Sequence, residues 1–183
     1  MDYRHEEEWK NIDTLFTAFD VSVNGTVTLL NGCATGTTAL TRQGRKITMV
    51  RLDVDLVGTQ LNASMQDTRF EIIYDKQPNG ALPVQADILS ANQSNAQWNP
   101  SNFPNRFLSL WRYQFQTTVN VEQDRPLPRS ISLNLPVRFN TGTTAAITAI
   151  TSGSLFLFAQ TQNAGGGTES MQMSGSTRVW FIE

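Results

Sequence analysis

The chain has 183 residues, a formal net charge of -2 and only 16% charged residues, with 39% hydrophobic ones. This is enough for one well-filled core, too little positive charge for a nucleic-acid binder held by bulk charge, and too short for a second domain without a visible linker. The first residues are acidic and polar and no apolar run approaches about 18 residues, so neither a signal peptide nor membrane insertion is expected.

An acidic segment, 1–11, precedes a single predicted domain, 12–183. Residues 12–22 (IDTLFTAFDVS) alternate loosely and reach Asn24-Gly25, the dipeptide suited to a tight hairpin turn. Residues 26–31 (TVTLLN) read as the next strand. The clearest strand is 46–58 (KITMVRLDVDLVG), with Val50, Leu52, Val54 and Leu56 on one parity and Arg51, Asp53 and Asp55 on the other. Residues 68–76 (TRFEIIYDK) form a further strand that ends in the turn Gln77-Pro78-Asn79-Gly80.

Residues 83–91 (PVQADILSA) carry the one helical signal, inside a long loop that runs to about residue 105. Strands follow at 106–119, where Phe107, Trp111, Tyr113 and Phe115 share a parity, and at 130–139, where Pro136 suggests an edge, a bulge or a break. Residues 153–162 (GSLFLFAQTQ) and 176–183 (STRVWFIE) are the last two strands, joined by the glycine-rich turn AGGGTESMQMSG. About eight short strands with unequal loops predict an all-β sandwich or barrel, with the jelly roll favoured by the long central connection.

Catalytic chemistry has no cast. His5 is the sole histidine, which excludes His-dependent triads and multi-His metal sites by counting. Cys33 is the sole cysteine and reads as a buried or loop thiol, consistent with folding in a reducing compartment. Gly165 to Gly167 lack the following Lys-Ser/Thr of a phosphate-binding loop and read as a flexible turn. No cofactor is expected. Asp53 and Asp55 are weak candidates for a calcium ion between subunits, against the simpler reading of a solvated strand face.

Basic residues offer more. Lys10, Arg42, Arg45 and Lys46 cluster near the strand entries and could contact phosphate, with Trp9 stacking on an unpaired base. Arg51, Arg112 and Arg138 sit on polar parities and suit subunit contacts as well as a solvated face. Trp98 and Phe103 in the long loop are candidate interface anchors, while Trp180 is either core or anchor.

Several segments in register resemble one family. TVTLLNG, TRQGRK, ITMVRLDVDLVG, IIYDKQPNGALP with ADIL, NRFLSLWR, LNLPVRFNTGTT, ITSGSLFLFAQT and RVWFIE together resemble the capsid proteins of circular, Rep-encoding single-stranded DNA viruses, over residues 10–183. The resemblance implies a jelly roll of two four-stranded antiparallel sheets with one short helix in a long loop. It also implies self-assembly into a sixty-subunit icosahedral shell around circular single-stranded DNA, a virion location after assembly in the host cytoplasm or nucleus, and a host receptor as a further partner. The family's arginine-rich arm has no counterpart in MDYRHEEEWKNID, so no arm-borne DNA site carries over. The rival reading is a jelly-roll binding module, lectin-like or a trimeric ligand domain, recognising carbohydrate or a receptor.

Overall fold

A computed structural model describes residues 8–61, 65–118, 124–163 and 171–183. His5 and Gly165 to Gly167, singled out above, lie outside the described residues. The strands are β1 (Lys10–Asp20), β2 (Thr26–Leu29), β3 (Lys46–Gln60), β4 (Gln66–Asp75), β5 (Phe107–Gln116), β6 (Asp124–Phe139), β7 (Ile150–Ser152), β8 (Ser154–Asn163) and β9 (Met171–Ile182). They form two antiparallel sheets, one ordered β1-β9-β3-β6-β7 and the other β2-β8-β4-β5. The pairings nest: β4 pairs β5, β3 pairs β6, β2 pairs β8 and β1 pairs β9. A long hairpin wrapped in this way is a jelly roll. The first sheet has five strands where four were expected, because the three-residue β7 adds to its edge at Arg138 and Phe139.

Period-two alternation supplies the core between the sheets. Leu52, Val54, Leu56, Val137, Val179 and Phe181 point in from the five-stranded sheet and meet Phe70, Ile72, Tyr74, Leu155 and Leu157 from the other. Val50 does not join them. A bulge between Met49 and Arg51 shifts the register against both neighbouring strands, so Ile47 and Met49 take the inward positions ahead of it and Val50 stays half-buried.

The four-stranded sheet is covered on both faces, which explains why FEIIY reads as continuously apolar. Its outer face packs Ile73, Phe107, Phe156 and Phe158 against Ile88, Leu89 and Ala96 of the long loop. The loop's helix, α1 (Gln85–Ile88), is a single turn, shorter than predicted.

Four strands start earlier than their sequence suggested, β1 and β4 by two residues and β6 and β9 by six and five. β6 begins at Asp124 and runs through Pro126, Pro128 and Pro136, aligned with Val57, Asp55 and Thr48 of β3. Before Arg138 its far side has no partner strand among the described residues, and an open edge tolerates residues that cannot donate. β9 begins at Met171, with Met171 and Met173 buried, so part of the supposed glycine-rich turn is strand. Gly175 lies within it at φ +122, and a Cβ there would sit 2.2 Å from the Asp55 carbonyl oxygen. Only glycine fits this approach.

Candidate nucleic-acid face and subunit-contact residues

The five-stranded sheet turns one face to the core and the other outward. On β9, Val179 and Phe181 point in, so Trp180, left open in the sequence between core and anchor, points out together with Arg178. The Trp180 indole Nε1 donates to Asp53 Oδ2 at 2.7 Å, the Ser130 hydroxyl donates to Asp53 Oδ1 at 2.7 Å, and Arg51 Nε reaches Oδ2 at 3.1 Å. Burial pushes the Asp53 carboxyl up, yet these hydrogen bonds and the Arg51 charge outweigh it and hold the group below the ordinary aspartate range. Asp13 is also held low, through a two-pronged bond from Arg178 at 2.6 and 2.7 Å.

Aromatic and cationic groups interleave on this face. The Arg51 guanidinium lies 4.9 Å from the Trp180 ring centroid and 5.8 Å from that of Trp9, and Arg178 lies 5.4 Å from Trp180. Trp9 and Trp180 are tilted by 57° with centroids 6.2 Å apart, and Trp9 is 51% exposed. Beside them is an open groove of about 600 Å³ lined by Asp13, Leu15, Asp53, Asp55, Arg178 and Trp180. Among the described residues no group of three or more His, Cys, Asp or Glu could hold a metal ion.

The five residues expected to contact nucleic acid do not stay together. Arg42 is buried, donating to the carbonyls of Cys33, Gly44 and Gly142 while lying 4.1 Å over the Phe139 ring. Lys10 is buried too, 3.4 Å from Glu183. Both cations are committed inside the protomer. Arg45 and Lys46 are exposed, and the sheet adds a third cation, since Lys46 is directly opposite Arg138 in the β3–β6 ladder. Arg45, Lys46 and Arg138 line one small cleft with Phe139 and Thr151.

The remaining interface candidates lie on the other sheet. Trp98 stacks on Phe103 with centroids 4.9 Å apart, and Phe103 leans on Phe107. Trp98, Phe103, Pro104, Phe107 and Leu108 surround an apolar cavity of about 340 Å³, with Trp98 and Leu108 partly exposed. Arg112, exposed on β5, donates to Gln114. Sequence reasoning missed the anchor beneath this patch. Arg69 and Glu71, both fully buried, pair on β4, and Glu71 also accepts the Trp98 indole Nε1 at 2.8 Å. Their i, i+2 spacing within a strand was the available signal.

Among solved structures, the chain resembles that of Desmodium yellow mottle tymovirus at 8% identity, covering 99% of this chain and 89% of that one with a TM-score of 0.38. It resembles the infectious bursal disease virus Gx strain structure at 10% identity and a TM-score of 0.40, covering all of this chain and 35% of that one. Tobacco streak virus coat protein is similar at 7% identity and a TM-score of 0.30, with 100% and 90% covered. No curated protein sequence matches. The family model described as satellite tobacco necrosis virus coat protein matches residues 3–176. The jelly roll with its outward arginines and aromatics is therefore a structural viral capsid subunit, and the chain belongs to the satellite tobacco necrosis virus coat protein family.

Proposed function

We propose that the protein closes into a small icosahedral shell of about sixty copies around a circular single-stranded DNA. The observation that carries the shell is the family match across residues 3–176 on a jelly roll. The DNA rests on the segment resemblance to capsid proteins of circular single-stranded DNA viruses. In this reading the apolar patch at Trp98, Phe103 and Leu108 is a subunit contact, since partly exposed aromatics over a buried polar anchor suit an interface hot spot.

Electron microscopy and sedimentation of the purified full chain test the shell. Sixty copies of the 20.4 kDa chain give a particle of about 1.2 MDa. A monomer that persists at high concentration overturns it. Nuclease digestion of particle contents tests the cargo: material sensitive to DNase supports DNA, and RNase-sensitive contents overturn that part while leaving the shell.

A further inference from the structure

The outward face of the five-stranded sheet carries two indoles and five cations. We propose that it is a track for single-stranded nucleic acid, with an unpaired base stacking on Trp9 and Trp180 and the adjoining phosphates lying against Arg45, Lys46 and Arg138. This rests on the reading that the shell encloses a single-stranded genome, and goes beyond it in assigning the contact to residues.

Three observations support the track. Lys46 and Arg138 are directly opposite in the ladder with Arg45 beside them, and none of the three has an acidic partner among the described residues. Like charges opposite one another weaken a sheet, whereas a phosphate between them turns the repulsion into attraction. Second, half of Trp9 is open to solvent, and Arg51 lies near both indoles, an arrangement that offers a π-face and a cation to any base without regard to sequence.

Third, the spacing and the charge agree. Arg51 and Lys46 are five positions apart on β3, about 15 Å at strand rise, so a short run of nucleotides reaches from the indoles to the cation cleft. The acids on the face are largely answered: Asp13 by Arg178, and Asp53 by Arg51, Trp180 and Ser130. The five cations Arg45, Lys46, Arg51, Arg138 and Arg178 face five aspartates, but the charge is uneven: Asp20 and Asp124 lie by Gln172 and Thr59 at the far end of β3, and Arg45, Lys46 and Arg138 gather at its start. Ser130, Ser132 and Ser176 keep its surroundings low and polar.

The test titrates the full-length chain with a fluorescein-labelled oligo(dT) of about twenty nucleotides and follows tryptophan quenching and salt dependence. W9A removes an exposed ring, and the expected result is about tenfold weaker binding with most of the quenching lost. The paired reversal K46E and R138E is expected to weaken binding and to lower the salt slope by about one to two. R112E, on the other sheet, serves as the comparison and is expected to change neither. Wild-type affinity in both face variants, or an equal loss in R112E, overturns the track. So does intact oligonucleotide binding by W9A protein that no longer forms particles, which would make the face a contact between copies. Particle formation by the unaltered protein is scored separately, so failure of the shell is distinguished from failure of the track.

Discussion

Arg69 and Glu71 form an ion pair with no solvent exposure on either side chain, sealed by the long loop. Arg69 also donates to the Ala96 carbonyl and Glu71 accepts from Trp98, so the pair fastens that loop to the sheet. Removing one partner strands the other charge in a dry site. E71A is expected to cost about 3–5 kcal/mol in urea unfolding of the protomer, whereas replacing both residues with apolar ones of similar size costs much less. Acid acts elsewhere. Asp13 and Asp53 titrate below the unfolded aspartate value of about 3.9, so the stability they contribute is complete above that pH and is lost as pH falls through their folded values. Carboxyl chemical shifts across pH 2 to 6 check this, with both aspartates taking up their protons below the unfolded value of about 3.9. At this scale the polar parity of Arg51 and Asp53 was legible from alternation, while the outward turn of Trp180 was left open between core and anchor. The inward turn of Lys10 and Arg42 was not legible, because Glu183 lies 173 positions from Lys10 and the Gly142 carbonyl 100 positions from Arg42.

Strands announced themselves wherever one face is wet and the other is core. They were hidden where that simple contrast fails. β6 was shortened by its prolines, which an open edge accepts, and β9 by Gly175, which a close backbone approach requires. G175A is expected to lower protomer stability by about 1–3 kcal/mol in thermal melts, because the added methyl meets the Asp55 carbonyl at a φ that side chains avoid. The loop between β4 and β5 was visible as a long polar segment, but its rigidity was not. Arg106 grips buried Asp75 with bonds of 2.8 and 3.1 Å, and Lys76 reaches the Pro104 carbonyl at 2.9 Å, so both ends of the loop are fastened together. R106A is expected to raise amide exchange in the loop about tenfold, by loss of a charge-assisted bond, while leaving β3 protected.

For the whole molecule, the two sheets divide the labour. One exposes arginines and indoles on its outer side; the other hides its outer side beneath a loop whose own surface offers the Trp98–Leu108 patch. If that patch joins copies, L108D leaves a folded monomer, with circular dichroism unchanged and no particles by electron microscopy. The nested pairing also constrains how the chain acquires its shape. β9 lies between β1 and β3, so the ninth strand to be synthesised is the one that joins the first to the third. Until it arrives, β1 has no partner strand and β3 keeps an open edge. Pairing across so much sequence makes closure slow, on the millisecond-to-second scale of non-local β proteins. A nascent subunit therefore passes its whole synthesis with sticky edges showing, and the concentration at which new chains meet one another before closure sets how many mature and how many aggregate.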